Sequence, residues 1–130
     1  ALPVIELDFS GFPADKPRIA SWAAKWGDEG DESGAEFAGT KSVFPADVGE
    51  ELIGAMQQIA VDSFNALRLR DYARIDFRVT DAGEIYVIEA NPNCYLEAGS
   101  EFARAAAQSG LQYDQLIEKI IELSTARYSR

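Results

Sequence analysis

The sequence predicts an α+β fold, in which helices pack against an antiparallel sheet, and three observations predict it. Segments that alternate apolar and polar residues stand beside segments whose apolar residues recur at three- and four-residue steps. Their order is strand, long loop, helix, hairpin, helix, helix, with no repeats or low-complexity tracts. The chain has 130 residues, 47% of them apolar, enough for the core of one compact domain.

The opening Ala1-Leu2-Pro3-Val4-Ile5 reads as a short apolar strand. It begins without Met, which suggests a segment of a longer protein, and it lacks the basic n-region and long apolar h-region of a signal peptide. Residues 10–41 are rich in Gly, Pro, Asp and Ser and contain the acidic run Asp28-Glu29-Gly30-Asp31-Glu32, with little periodicity outside Ile19 to Trp26. A long surface loop around one short strand or helical turn is expected there. Such loops are functional or disordered, and Trp22 and Trp26 favour function.

Pro45-Ala46-Asp47 opens a helix. Asp47 and Glu50 have the spacing of a capping box, and Val48, Leu52, Met56, Ile59, Ala60 and Leu67 mark its apolar face to about Leu67. Tyr72 to Thr80 and Ile85 to Ala90, divided by Asp81-Ala82-Gly83, read as a β-hairpin. After the loop Asn91 to Leu96, an Ala-rich helix from about Ala98 to Ser109 closes on Gly110, the usual left-handed stop. A last helix, about Asp114 to Arg127, carries Leu116, Ile117, Ile120 and Ile121 and ends in basic residues.

Twelve basic against 22 acidic residues leave a net charge of -10, a field that repels nucleic acid and anionic membrane surfaces. No apolar stretch reaches the ~20 residues that cross a bilayer, so a soluble, cytoplasmic protein is expected. There is no His, and Cys94 is the single thiol. Ser-His-Asp triads, Cys-His dyads, His-based zinc sites and an intrachain disulfide are thereby excluded. Carboxylate and carboxamide oxygens remain, a hard donor set suited to magnesium or manganese.

In the hairpin, Arg74, Asp76 and Arg78 share one face and Ile75, Phe77 and Val79 the other. If residues 81–84 form the loop, Thr80 pairs with Ile85 and Asp76 lies opposite Glu89, while Phe77, Val79, Tyr86 and Ile88 gather on the apolar face. A register one residue away would bury the Glu89 charge among apolar groups. Facing carboxylates repel unless a cation or proton lies between them, and Asn91 adds a neutral oxygen to the same side. Arg74 beside them is a permanent cation able to hold a phosphoryl group or oxyanion. Spacing alone leaves open a plain surface hairpin in which Arg74 and Arg78 pair with Glu89.

The stretch Arg74-Ile75-Asp76-Phe77 through Glu84-Ile85-Tyr86 to Glu89-Ala90-Asn91 resembles the metal-binding hairpin of the ATP-grasp superfamily. Leu2-Pro3-Val4-Ile5-Glu6, Ala24-Lys25-Trp26, Phe44-Pro45-Ala46-Asp47 and Ser109-Gly110-Leu111 with Tyr113 and Leu116-Ile117 resemble, in the same order, segments of the D-alanine-D-alanine ligase family. The resemblance implies the C-terminal half of an ATP-grasp domain, with residues 1–130 a single partial domain lacking the N-terminal and nucleotide-hinge lobes. It implies that Asp76, Glu89 and Asn91 bind two magnesium (or manganese) ions on ATP, that Arg74 contacts the transferred phosphate, and that Lys25 holds an ATP phosphate. The implied reaction joins a carboxylate to an amine through an acyl phosphate, on amino-acid substrates in peptidoglycan precursor synthesis, in a whole protein expected to be a homodimer. The isolated segment is expected to be inactive.

Two departures bear on the substrate. Where the family follows the metal-binding Asn with a Pro-Gly-Met-Thr-like segment and a carboxylate-holding Ser, this chain reads Pro92-Asn93-Cys94-Tyr95-Leu96-Glu97, with Ser100 as the candidate counterpart. Trp26 also replaces a Tyr. A superfamily ligase with another acid and amine, and a non-catalytic acidic interaction module of the same fold, are the rival readings. Cys94, with no His to activate it, reads as an unreactive thiol.

Overall fold

The computed structural model describes residues 1–21, 34–45 and 47–128. They fall into two compact units, one of Ile5–Ala46 and one of Ala1–Val4 with Asp47–Arg130.

In the unit Ile5–Ala46, strand β1 (Glu6–Asp8) pairs antiparallel with β2 (Lys41–Val43), with Leu7 opposite Ser42, and helix α1 (Gly34–Ala38) precedes β2. The first strand thus forms just after the expected Ala1 to Ile5 stretch. Within residues 10–41 the periodic stretch Ile19 to Trp26 lies mostly outside the described residues, and α1 and β2 both form where the sequence leads to a loop. Lys41-Ser42-Val43 is too short for alternation to register, and only its partner strand makes it one. A close backbone approach supports the turn region: a Cβ on Gly39 would lie 2.5 Å from the Gly11 carbonyl oxygen, so both chain segments need the missing side chain. Asp8 accepts hydrogen bonds from the Ser10 amide (2.8 Å) and hydroxyl (2.9 Å), and Phe9 and Phe12 meet edge to face at 5.3 Å. Buried Glu36 accepts from Lys16 Nζ and Ser21 Oγ, each at 2.8 Å, and these donors hold its carboxyl below the ordinary carboxylate range.

The second unit opens with helix α2 (Glu50–Ala66). Its N-cap is Gly49, extended at φ -62° and ψ 146° with no side-chain cap, which overturns the capping box read at Asp47. Asp47 stands two residues before the cap, beyond reach of the first free amides, and Glu50 and Glu51 instead set negative charge against the positive helix end. The helix ends in a Schellman motif, the Leu69 amide donating to the Phe64 carbonyl (2.9 Å) and the Arg68 amide to Asn65 (3.0 Å), around Arg68 at φ 53°. Asp71, also left-handed at φ 65°, turns the chain into the hairpin and is held by Arg127 Nη2 at 3.2 Å.

Strands β3 (Arg74–Val79) and β4 (Ile85–Asn91) form that hairpin, followed by α3 (Glu101–Gln108) and α4 (Tyr113–Tyr128). Ser100 caps α3, its hydroxyl accepting from the Ala103 amide at 3.4 Å. Gly110 closes α3 at φ 90°, as the sequence predicts, with the Gly110 amide on Ala107 (2.9 Å) and the Leu111 amide on Ala106 (3.0 Å). The core of the unit lies between α3 and α4, where Ala103, Ala106 and Leu116 are buried and Leu2, Phe102, Leu111 and Ile120 pack around them. Small alanines let the two helices approach closely, so Ala106 has no exposed surface at all. Gln57 donates to the Leu2 carbonyl at 2.9 Å, tying the opening residues to α2.

The α+β class is as expected. Among the described residues, however, the antiparallel pairing is divided into two separate two-stranded sheets. No described helix is long and apolar enough to cross a membrane.

Candidate functional site

The hairpin turn sets the geometry of the site. The Gly83 amide donates to Thr80 O (2.9 Å), the Thr80 amide donates to Glu84 O (3.0 Å), and Gly83 sits at φ 81°. That is a three-residue Asp81-Ala82-Gly83 loop whose last member is left-handed, one residue shorter than the loop of residues 81–84 expected from the pattern. Val79 therefore pairs with Ile85, Arg78 with Tyr86 and Phe77 with Val87. Left uncorrected, this shift would carry Glu89 to the apolar face. A bulge at Ile88 absorbs the extra residue and restores Asp76 opposite Glu89, Ile75 opposite Ala90 and Arg74 opposite Asn91.

The expected apolar set is corrected accordingly. Ile75, Phe77 and Val79 share their face with Ile85, Val87 and Ala90, Tyr86 falls on the face of Arg78, and Ile88 is the bulged residue, 66% exposed. The carboxylate pair survives because turn and bulge cancel.

On the polar face Arg74 pairs with Asp76 of its own strand, through Nε to Oδ1 at 2.6 Å and Nη2 to Oδ2 at 2.9 Å. Its Nη1 lies 3.7 Å from Glu101 Oε2 at the start of α3. Hydrogen bonding to Asp76 outweighs burial and holds the guanidinium pKa above its ordinary value. This differs from the plain surface hairpin, in which Arg74 would cross to Glu89. Asn91 Oδ1 accepts from the Asn93 amide at 2.9 Å, an Asx turn that fixes the carboxamide oxygen and leaves it a second lone pair.

The donor set fits a hard divalent cation. Asp76 keeps two of its roughly four lone-pair sites beyond those used by Arg74, Glu89 faces it across the strands, and Asn91 stands one pair further along the same face. Among the described residues no group of three or more His, Cys, Asp or Glu side chains is arranged to hold a metal ion, so a cation here needs Asn91 and oxygens from water or phosphate.

Ser100 stands at the N-terminus of α3 as its cap, and Lys25, with Trp22, Trp26 and the acidic run, lies outside the described residues. Cys94 is buried, and desolvation pushes its thiol pKa up despite nearby Arg74, as befits an unreactive thiol. Sequence reasoning missed Glu101 and Tyr72. Nothing local marks Glu101, which comes beside Arg74 only because α3 folds back on the hairpin. The Asn91-Pro92-Asn93 spacing did carry a signal, since Asn two residues before an amide is an Asx-turn pattern. Tyr72 donates to Asn93 Oδ1 at 3.3 Å and rests edge-on against Phe102 at 5.7 Å. With Asn93, Cys94, Tyr95 and Leu96 it lines a cleft of about 490 Å³.

Comparison with known proteins gives a consistent picture. The family model for the D-ala D-ala ligase C-terminus matches residues 31–122. The uncharacterized protein y4sG of Sinorhizobium fredii is 28% identical over 98% of this chain, and a D-alanine–D-alanine ligase of Desulfotalea psychrophila 31% identical over 95%. The chain spans 34% of the length of each of these two relatives. A crystal structure of the D-alanine–D-alanine ligase of Bacillus anthracis complexed with ATP is 29% identical, with a TM-score of 0.62, over 69% of this chain and 30% of that one.

Proposed function

The chain belongs to the D-ala D-ala ligase C-terminus family, and from that premise we propose that it is the metal- and phosphate-holding C-terminal part of an ATP-dependent ligase joining a carboxylate to an amine. One observation carries the proposal: Asp76 and Glu89 face each other across the hairpin, with Arg74 and Asn91 the next pair on the same face. Facing carboxylates cost stability unless cations offset them; Arg74 offsets part of the charge on Asp76, and a bound cation between Asp76 and Glu89 would offset the rest.

Asp76, Glu89 and Asn91 would hold two magnesium or manganese ions through hard oxygens. The bound ions would neutralise charge on the phosphates of ATP. Arg74, already oriented by its fork on Asp76, presents a fixed cation to the transferred phosphoryl group and then to the oxyanion formed when the amine attacks the acyl phosphate. Lys25 would hold an ATP phosphate. The Ser100 hydroxyl accepts from the helix amide and so keeps its own proton to donate to a substrate carboxylate.

The relatives are about three times as long as this chain. We therefore read it as one partial domain of a cytoplasmic, dimeric ligase of amino-acid substrates, whose preceding lobes grip the adenine and remaining phosphates. The loop after Asn91 departs from the family's Pro-Gly-Met-Thr-like segment, which favours an acceptor amine other than D-alanine.

The test is a manganese titration of the isotopically labelled chain, following paramagnetic broadening of backbone amides. Broadening centred on Asp76, Glu89 and Asn91 and lost in Asp76→Asn is expected. Broadening spread over the acidic run Asp28 to Glu32, or a whole protein that releases no phosphate with any acid and amine, would sink the proposal.

A further inference from the structure

We infer that Glu101 is a positioning residue for the proposed phosphoryl transfer: it keeps the Arg74 guanidinium over the site when a bound cation takes Asp76, the carboxylate that holds Arg74 otherwise. The inference rests on the ligase reading above and adds to it a residue from outside the hairpin.

Arg74 directs its donors at two carboxylates. Nε and Nη2 fork onto both oxygens of Asp76 at 2.6 and 2.9 Å, and Nη1 lies 3.7 Å from Glu101 Oε2, an ion pair rather than a hydrogen bond. Asp76 is also a carboxylate that the site offers to a cation, with Glu89 opposite it. A cation there competes for the same oxygens and repels the guanidinium, so the fork weakens when Arg74 is needed. Glu101 stands outside that competition. It comes from the first turn of α3 rather than from the hairpin, and among the described residues it joins no group of three or more His, Cys, Asp or Glu side chains arranged to hold a metal.

The geometry suits this task. The fork and Nη1 point to different elements, so a loosened fork leaves the guanidinium tethered from α3. The Arg74 and Glu101 side chains are 29% and 38% exposed, which keeps their attraction stronger than that of fully solvated charges. Asp76 contributes most to the raised pKa of Arg74, against the opposing effect of burial, and the charge of Glu101 adds to it. The anchor is itself fixed on both sides. Ser100, directly before Glu101, caps α3, and Phe102, directly after it, packs on the α3–α4 core and meets the ring of Tyr72, two residues before Arg74, at 5.7 Å. Glu101 also sets negative charge at the start of α3, a purely structural role that the following experiment separates.

The test follows the Arg74 Nε–H group of the isotopically labelled chain by nitrogen relaxation, which reports motion of the guanidinium, through a cycle of variants. Without metal, Asp76→Ala and Glu101→Gln should each leave Arg74 ordered, and the double variant should drop its order parameter below about 0.6, the range of flexible groups. Glu101→Asp keeps the charge at the helix start but is one methylene shorter, so beside Asp76→Ala it should match the double variant. Where Asp76→Ala does not fold, Asp76→Asn, which leaves one neutral acceptor, replaces it. Saturating magnesium should act as Asp76→Ala does, leaving Arg74 ordered in the parent and freeing it in Glu101→Gln. In the whole ligase, Glu101→Gln and Glu101→Asp should each lower kcat by roughly tenfold or more with KM for ATP nearly unchanged. Arg74 freed by Asp76→Ala alone, a double variant in which it stays ordered, a Glu101→Asp that holds it like the parent glutamate, or an unchanged kcat would each overturn the inference. Manganese broadening at Asp76, Glu89 and Asn91 is read separately on the parent. A failed cycle with broadening retained leaves the ligase reading standing, whereas absent broadening removes the ligase reading itself.

Discussion

Glu89→Gln and Asp76→Asn each remove one member of the facing carboxylate pair, yet they should move stability in opposite directions when metal is withheld. Like charges directly across two strands cost roughly 0.2–1 kcal/mol, so Glu89→Gln should stabilise the metal-free chain by about 0.5 kcal/mol. Asp76→Asn relieves the same repulsion but breaks the fork from Arg74, whose two contacts measure 2.6 and 2.9 Å between side chains 29% and 26% exposed. A charge-assisted pair at that partial burial is worth about 1–2 kcal/mol, which leaves a net loss of about 1 kcal/mol. The two variants should then differ by about 1.5 kcal/mol, or roughly 5–9 °C in Tm for a chain of this size. Thermal and urea unfolding followed by circular dichroism in chelator gives the stabilities, and manganese titration of the same samples gives the affinities. Both variants should lose at least tenfold in manganese affinity. Melting shifts of the same sign would refute the role of the Arg74 fork, and a Glu89→Gln variant binding manganese within twofold of the parent would refute the facing pair as a site.

Gly39→Ala should destabilise the Ile5–Ala46 unit by roughly 1–3 kcal/mol, because the new methyl meets backbone oxygens of Gly11 and Ala35 at 2.5 and 2.8 Å rather than a side chain that can swing away; urea unfolding checks this. Glu36, held below its ordinary pKa of 4.5 by Lys16 first and Ser21 second, stabilises that unit at and above pH 4.5, and this contribution is lost as pH falls from there through the folded value. Glu36→Gln should remove that acid-sensitive limb from a stability-against-pH profile and leave its higher-pH slope unchanged. Ser100→Ala should cost about 0.5–1 kcal/mol in chemical unfolding through the lost N-cap, and Ser100→Asp should restore it. If Ser100→Asp regains stability while the whole ligase stays impaired in KM for its amine, the hydroxyl serves substrate as well as helix.

Family, fold class and the long elements of the second unit were legible in the sequence. The Ala-rich helix ending on Gly110 and the amphipathic last helix are local patterns, and the α3–α4 core they form follows from apolar residues at helical spacing. Two misreadings were local as well. The Asp47 and Glu50 spacing imitates a capping box, but the chain enters the helix at Gly49, and Lys41-Ser42-Val43 becomes a strand only because Glu6–Asp8 lies beside it.

The residue types of the site were set by sequence alone. Without His, and with one buried thiol, the groups this chain can itself supply are carboxylates, carboxamides, hydroxyls, Lys and Arg, and alternation puts Arg74 and Asp76 on one face of their strand. Which residues face them was decided by tertiary structure. Gly83 takes the left-handed conformation, shortens the turn by one residue, and would carry Glu89 to the wrong face had Ile88 not bulged out of the ladder. Pairing register depends on turn conformation and on where a strand gives up a hydrogen-bonded residue, and neither is encoded in side-chain spacing. The same holds for Glu101 beside Arg74 and for the cleft walled by Tyr72 and Tyr95: these residues lie about 25 positions apart in the chain and meet only because the loop after β4 and the start of α3 return to the hairpin.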